Sequence, residues 1–230
     1  MRSVARLIVM LGPPGAGKGT QAARLAHRWA VPHISTGAML REWVRAGTDL
    51  GRRVQTVIEQ GALVDDALIA EVVEARLSRA DAAGGFLLDG YPRTVPQAET
   101  LDRLVGARGL LVVIEVAVAE AEVLRRLAAR MVCGECGANA QDDRDFSTCH
   151  DCGGRLVPRA DDAEDVVRAR MKVYRRQTAP LIAYYEGRPG YVRVDGARLV
   201  DDVTAEIVAR VEALSAPTGA RPPAGSGSAD

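Results

Sequence analysis

The chain has 230 residues, of which 47% are hydrophobic and 26% are charged. Its 30 basic side chains balance 30 acidic ones, so the formal net charge is zero. This size and composition predict one main folded core with inserted subdomains. A neutral chain has no general electrostatic attraction for nucleic acid or for an anionic membrane, so neither is an expected partner. The apolar runs are too short for a membrane-spanning helix or a signal-peptide core, which predicts a cytoplasmic location.

Short apolar runs predict buried strands, and longer periodic stretches between them predict helices. The predicted strands are 7–11, 33–34, 86–88, 110–116 and 191–194, and the predicted helices are 20–29, 67–79, 96–105 and 119–130. Strands that alternate with helices favour an α/β fold with a five-stranded parallel sheet flanked by helices. Asp161 and Glu164 have the spacing of a capping box, which predicts the start of the longest helix. The Pro-, Gly-, Ala- and Ser-rich segment 216–230 is predicted to be a disordered tail.

A glycine-rich segment, Gly-Pro-Pro-Gly-Ala-Gly-Lys-Gly-Thr at 12–20, follows the first strand and precedes a helix. In that context the backbone N–H groups and the lysine can hold a phosphate chain, although a tight turn without a ligand has the same glycines. The position after the lysine, where such loops usually place Ser or Thr for magnesium, is Gly19, and the hydroxyl follows at Thr20. The predicted ATP-binding residues of the loop are Gly15, Ala16, Gly17, Lys18, Gly19 and Thr20.

The Gly-Lys-Gly-Thr-Gln form at 17–21 resembles the loop of adenylate kinases and related nucleoside monophosphate kinases. Three further blocks, at 35–41, 61–64 and 89–97, are similar to the segments that wrap AMP in adenylate kinases. The resemblance implies that Thr36 and Gln97 contact adenine and that Arg41 and Arg93 bind the α-phosphate. The AMP-binding residues it implies are Thr36, Arg41, Ala62, Leu63, Val64, Gly90, Tyr91, Pro92, Arg93, Gln97, Arg159 and Arg170.

The residue types on this second nucleotide side suit that role. A guanidinium matches a phosphate with two hydrogen bonds, and the Gln97 amide offers a donor and an acceptor to a purine edge. Asp89 ends an apolar strand, where a carboxylate can hold magnesium through water. Relatives that phosphorylate pyrimidine monophosphates usually lack the pairing of Thr36 with Gln97, so the resemblance favours AMP. Ala38 stands where adenylate kinases usually have aspartate, which is expected to weaken the ordering of the site and not to change the substrate.

The chain's four cysteines form two knuckles, with two residues between the cysteines of each pair. Four thiolates at this spacing suit a tetrahedral, closed and therefore structural zinc site. Two disulfides are the alternative, which the expected cytoplasmic location disfavours. The predicted zinc ligands are Cys133, Cys136, Cys149 and Cys152. A cysteine lid at this place resembles the zinc-containing bacterial adenylate kinases, but the loop between the knuckles is shorter and their Tyr-His and Asn-Pro-Pro residues are absent.

Arginines that flank the cysteines align with the catalytic arginines of that family. Phosphoryl transfer requires neutralisation of charge and exclusion of water more than a strong base. The catalytic residues implied are Lys18, Asp89, Arg93, Arg126, Arg130, Arg159 and Arg170, and the resemblance adds Arg126, Arg130 and Arg198 to the ATP side. For Arg126 a solvated helix face is the competing interpretation.

The sequence thus predicts a P-loop nucleoside monophosphate kinase fold, with a core of 1–34, 65–128 and 163–215. Residues 35–64 are the predicted AMP-binding insert, and residues 129–162 the predicted zinc lid. The predicted reaction is ATP + AMP = 2 ADP with Mg²⁺ in a monomer, serving adenine nucleotide homeostasis. The alternatives are another nucleoside monophosphate kinase, or a zinc-ribbon protein for nucleic acid with a vestigial kinase core. Between Cys133 and Cys152 there is one aromatic residue, Phe146, and an acidic pair, Asp142 and Asp143, which disfavour the second.

Overall fold

A computed structural model describes residues 5–140 and 148–215. Five parallel strands form the central sheet, in the order β2-β3-β1-β4-β7, and β5 pairs antiparallel with β6 outside it. The strands are β1 Arg6–Leu11, β2 His33–Ser35, β3 Gly85–Asp89, β4 Leu111–Ala117, β5 Met131–Cys133, β6 Leu156–Pro158 and β7 Tyr191–Asp195. The predicted five-stranded parallel sheet is confirmed, and the strand ends differ from the predicted ones by a residue or two. The predicted tail 216–230, Phe146 and the pair Asp142 and Asp143 lie outside the described residues.

Helices follow the strands and cover both faces of the sheet. The helices are α1 Lys18–Trp29, α2 Thr36–Arg45, α3 Asp49–Glu59, α4 Asp66–Leu77, α5 Val95–Val105, α6 Glu120–Ala128, α7 Glu164–Val173, α8 Pro180–Tyr185 and α9 Val200–Ser215. Helices α2 and α3 lie between β2 and α4, in the segment predicted as the AMP-binding insert. No helix in the described ranges is both long and apolar enough to cross a membrane.

Alternate side chains of β1 enter two different hydrophobic cores, as expected for a strand covered on both faces. Leu7 and Val9 pack in a cluster with residues of α4, α5 and α8, while Ile8 and Met10 pack with residues of α1 and α9. The four side chains are fully or almost fully buried. The sheet is therefore rigidly held, and its carboxyl ends provide a fixed platform for the loops that follow β1 and β3.

The predicted capping box at the start of α7 is wrong. Ala163 is the N-cap, without a side-chain hydrogen bond, because the carboxylate of Asp161 is bonded to Arg159 instead. Helix α7 is also not the longest, since it gives way to a π-helical turn at Tyr174–Thr178, and α9 is longer. Asp161 thus binds the guanidinium of Arg159 instead of capping the helix, and the local sequence pattern does not reveal this role.

Candidate active site

The phosphate loop connects β1 to α1. Gly12, Gly15 and Gly17 have φ angles of 137°, 77° and 93°, which side-chain-bearing residues rarely adopt. A Cβ on Gly12 would lie 2.4 Å from the Val116 carbonyl oxygen, so the loop can approach β4 only with glycine there. Gly17 is the N-cap of α1 and offers no side-chain cap, which leaves the first-turn N–H groups for an anion.

Lys18, the first residue of α1, folds back over this loop. Its Nζ donates hydrogen bonds to the carbonyl oxygens of Gly12 at 2.8 Å and Pro13 at 2.7 Å. Burial lowers the pKa of Lys18 to about 8, and the positive charges of nearby arginines act in the same direction, against the opposing charge of Asp89. The ammonium group is thus pointed at the loop and close to other cations, as a phosphate-binding lysine should be.

Asp89, at the end of β3, lies beside the same loop. Its Oδ2 is 3.4 Å from the position that a Cβ on Gly19 would occupy and 3.9 Å from Nε2 of His33. Burial opposes ionisation of Asp89, but the nearby His33 and the charge of Lys18 hold its pKa below the usual range. An ionised carboxylate next to the phosphate loop can hold a divalent cation through water.

Three arginines and two aspartates meet at the start of α7. Arg130 donates to both oxygens of Asp162, at 2.6 and 2.5 Å, and Arg170 Nη1 lies 2.8 Å from Asp162 Oδ1. Arg159 Nη2 donates to Asp161 Oδ2 at 2.7 Å. These carboxylates fix the planes of the guanidinium groups before any ligand binds. Sequence reasoning identified the arginines but missed Asp161 and Asp162 as their partners.

The arginines also influence one another. Burial lowers the pKa of Arg170 to about 10, and burial together with the charge of Arg159 lowers the pKa of Arg41 to about 10. Burial lowers the pKa of Arg93 as well. Cations that are partly removed from water and repel each other are stabilised by an anion placed between them. The electrostatics therefore favour phosphate groups at this place.

A cavity opens between the sheet and the insert, next to this arginine cluster. Thr36, which is 2% exposed, and Gln97, which is 3% exposed, form part of its wall. The remaining lining residues are Gly37, Leu40, Arg41, Ile58, Gly61, Ala62, Leu63, Val64, Ile69, Gly90, Arg93, Arg159, Asp161 and Arg170. Tyr91 and Pro92, which were predicted to contact AMP, are buried and do not belong to this lining. A lining that combines arginines and other polar groups with apolar side chains suits a purine nucleoside monophosphate.

The two remaining arginines of the predicted ATP side are placed differently. Arg126 Nη1 contacts the Ala16 carbonyl oxygen at 3.4 Å, and its Nη2 donates to the Gly196 carbonyl oxygen at 2.9 Å, so this arginine lies against the phosphate loop. Arg198 instead pairs with Glu206 of α9 at 2.7 Å. Within the described residues it is not brought to the loop, and its ATP-binding role stays a prediction.

The four cysteines form one compact cluster. Their sulfur atoms lie within 4.8 Å of one another, a spacing that a single metal ion can bridge. Cys133 Sγ is 3.5 Å from Cys152 Sγ, and Cys136 Sγ is 3.7 Å from Cys149 Sγ, so no disulfide joins them. The cluster has a small hydrophobic core of its own, which includes Leu156 of β6. Soft thiolates in a tetrahedral set of four suit zinc.

The first knuckle contacts the insert, and the residues after it lie near the phosphate loop, which the sequence did not predict. Arg45, at the end of α2, donates to the carbonyl oxygen of Glu135 at 3.0 Å. Nδ2 of Asn139 lies 3.8 Å from the position of a Cβ on Gly19 in the phosphate loop. The knuckle thus lies over the phosphate loop and against the insert. Contacts between residues so distant in the chain leave no local sequence signal.

The parallel sheet, the phosphate loop and the cationic cluster beside the cavity are the arrangement of a phosphotransferase. The family model described as adenylate kinase matches residues 10–189. Adenylate kinases from Kosmotoga olearia and Methanocella arvoryzae are 46% and 43% identical to the chain, with 90% of this chain and 99% of each relative covered. The adenylate kinase from Archaeoglobus fulgidus is 42% identical, with 90% of this chain and 98% of the relative covered. The chain belongs to the adenylate kinase family.

Proposed function

We propose that this phosphotransferase moves the γ-phosphoryl group of Mg-ATP to AMP and releases two molecules of ADP. The observation that carries the assignment is the convergence of Lys18, Arg93, Arg130, Arg159 and Arg170 around one space, between the phosphate loop and the cavity. Each of these cations perturbs, or is perturbed by, others of the group. Charge of this density is what a transferring phosphoryl group requires.

The ATP side is assigned to the phosphate loop. The backbone N–H groups from Gly15 to Thr20 and the Lys18 ammonium hold the β- and γ-phosphates, with the dipole of α1 behind them. Arg126 lies beside the Ala16 carbonyl and Arg130 beside the lid, both within reach of the same phosphates. When bound, Mg²⁺ neutralises phosphate charge next to Asp89, whose ionised carboxylate fits its preference for oxygen and water ligands.

The AMP side is assigned to the cavity. Arg41 and Arg93 bind the α-phosphate, and Thr36 and Gln97 contact the adenine ring in its wall. The backbone of Ala62, Leu63 and Val64 covers the ring, so the attacking oxygen of the phosphate is directed at the loop. Bound this way, the acceptor and the γ-phosphoryl group need only approach in line, because positioning and charge neutralisation supply most of the catalysis.

The segments 35–64 and 129–162 act as mobile covers of the core formed by 1–34, 65–128 and 163–215. Their closure removes water from the transferred group, which suppresses hydrolysis of ATP. Zinc held by Cys133, Cys136, Cys149 and Cys152 orders the second cover and has no catalytic part, since four thiolates fill its coordination sphere. We propose a monomer that acts in the cytoplasm, by resemblance to the family.

The test is formation of ADP from Mg-ATP with AMP, CMP, UMP and GMP as parallel acceptors. We expect AMP to be strongly preferred. Preference for another acceptor would reassign the chain to a sister nucleoside monophosphate kinase. Absence of transfer to all four, in folded and zinc-loaded protein, would overturn the proposed activity. Salt-sensitive binding to single-stranded nucleic acid would then favour the zinc-ribbon interpretation.

A further inference from the structure

The side-chain amide of Gln97 is held on both sides by protein groups. The backbone N–H of Arg93 donates to Gln97 Oε1 at 2.8 Å, and Gln97 Nε2 donates to Asp66 Oδ1 at 2.6 Å. Gln97 lines the cavity proposed for AMP, whereas Asp66 is absent from its lining. Asp66 therefore acts on a nucleotide in this cavity through Gln97 and not by direct contact.

These two partners permit one orientation of the amide. A backbone N–H only donates and must face the oxygen, while a carboxylate only accepts and must face the nitrogen. A flipped amide would place its NH₂ group against the N–H of Arg93 and its oxygen against the carboxylate of Asp66. Both contacts would then be repulsive, at a residue that is 3% exposed, where water cannot repair them.

Asp66 also connects Gln97 to its surroundings through a third residue. Its Oδ2 accepts from the hydroxyl of Thr94 at 3.0 Å, and that hydroxyl oxygen accepts the backbone N–H of Gln97 at 3.4 Å. On the other side, the Tyr91 hydroxyl donates to the Gln97 carbonyl at 3.2 Å. The backbone and the side chain of Gln97 are thus fixed together, and a rotation of the amide cannot be relieved by a small shift of α5.

One hydrogen on Nε2 and one lone pair on Oε1 remain for a ligand. This ordered donor and acceptor match adenine, whose N1 accepts and whose N6 amine donates. Hypoxanthine and guanine present the reverse order, a donating N1–H and an accepting O6. The Nε2 hydrogen of Gln97 would then face the N1–H of the base, and Oε1 of Gln97 would face its O6. Both contacts are unfavourable in a buried wall.

We propose that Asp66 is a specificity-determining residue that selects AMP over 6-oxopurine nucleotides by fixing the orientation of the Gln97 amide. It acts as a positioning residue without touching the nucleotide. The inference rests on the proposed function, because it assigns the adenine edge of AMP to Gln97.

The experiment compares AMP with IMP, which differs from it at this edge of the base. Asp66→Asn keeps the shape but offers either a donor or an acceptor, and Asp66→Ala removes the acceptor. In both variants the AMP-to-IMP ratio of kcat/KM is expected to fall about tenfold, since only the Arg93 N–H then opposes a flipped amide. The ratio of the two dissociation constants, measured by calorimetry without ATP, should fall in parallel.

Asp65→Asn is the matched control. Asp65 precedes Asp66 and caps α4 through the N–H groups of Ala67 and Leu68, without a bond to Gln97. This change removes the same charge from the same helix start and should leave the AMP-to-IMP ratio as in the wild type. A purely structural role of Asp66 would lower the affinities for AMP and IMP equally, and an unchanged ratio in folded Asp66→Asn protein overturns the inference. Loss of phosphoryl transfer in the wild type would instead contradict the proposed function, while the calorimetric ratio would still decide the role of Asp66.

Discussion

The cavity proposed for the acceptor and the cysteine lid both adjoin the insert, yet they are stabilised in different ways. Thr36 and Gln97 of the cavity wall are almost fully buried, and their polar groups are bonded to residues of the core. In the lid, Cys136 and Cys152 are exposed, and only three residue pairs join β5 to β6. The cavity takes its rigidity from the hydrophobic core, whereas the lid, as proposed above, depends on a zinc ion held by its four cysteines.

The cavity wall is thus suited to recognition of the base, and the lid is suited to closure over the site. A base-reading wall must hold its donors and acceptors in place before the ligand arrives, and packing against a sheet provides that. A cover must open for each turnover, so a small module with few contacts to the core suits it. Lys18 lies between the two regions.

Replacing Lys18 by alanine should have the largest effect. The change removes the charge that contacts the transferred group and leaves both the cavity and the lid intact. Turnover is expected to fall about 10²- to 10³-fold, with thermal stability close to that of the wild type. Lys172→Ala, at the chain's other lysine and on the exposed surface of α7, is the matched control and should keep full activity. A Lys18→Ala variant with unchanged turnover would contradict the phosphate-loop assignment.

Replacing Cys149 by serine tests the dependence of the lid on metal. Zinc content, measured by atomic absorption, should fall together with the thermal stability, because three thiolates and a hydroxyl hold zinc poorly. Turnover should fall about 10- to 100-fold through poor closure, while the affinity for AMP stays near that of the wild type. Thr148→Ser, at the adjacent residue, should change none of these quantities. Full zinc stoichiometry in the Cys149→Ser protein would refute the four-thiolate site.

The pKa of Lys18 predicts how ATP use depends on pH. Its value of about 8 in the folded, unliganded chain lies below the ordinary 10.5, so the ammonium loses its proton as the pH rises through about 8. Above that pH, kcat/KM for ATP should fall by up to about tenfold per pH unit, because this ratio reports the free enzyme. Lys18→Arg keeps its charge, and its lower activity should not show this decline up to about pH 9. A wild-type profile that stays flat through the same range would contradict the prediction.

Arg45 provides the smallest and most specific test. Its bond to the Glu135 carbonyl joins the insert to the first knuckle, so closing one cover should favour closing the other. In Arg45→Ala, the factor by which a non-hydrolysable ATP analogue tightens AMP binding should fall about two- to fivefold. Arg53→Ala, at an exposed arginine of α3, controls for the lost charge. If the coupling factor in Arg45→Ala equals that of the wild type, the two covers close independently.

The sequence predicts best where the chemistry is local. The apolar runs located the sheet because a strand buried on both faces needs consecutive apolar residues, as at 7–11. The phosphate loop and the cysteine knuckles are continuous motifs, and the structure brings each together. The family and the phosphotransferase activity, which follow from the motifs in combination, are confirmed by the relatives.

Contacts between residues that are distant in the chain were not predictable from the sequence. The same holds for a residue whose role differs from the one that its local pattern indicates. Asp161 matches a capping pattern, but the guanidinium of Arg159 competes for its carboxylate with a charge-assisted bond that the pattern does not include. Asp66 lies two positions beyond a recognised block, and only the fold brings it to Gln97, 31 residues away. The roles of the individual site residues, Arg198 among them, stay predictions until the variants above are measured.

The narrow β5–β6 connection has a consequence for how this enzyme can change. The cysteine cluster packs in a hydrophobic core separate from the two that hold the sheet, so we expect substitutions inside it to leave the packing of the sheet unchanged. We therefore expect that the segment between β5 and β6 can be replaced by one with a longer or shorter loop between its cysteine knuckles. We expect such an exchange to change the thermal stability and the opening rate of the lid. The choice of nucleotide should stay the same, because the residues that contact the base lie outside the exchanged segment.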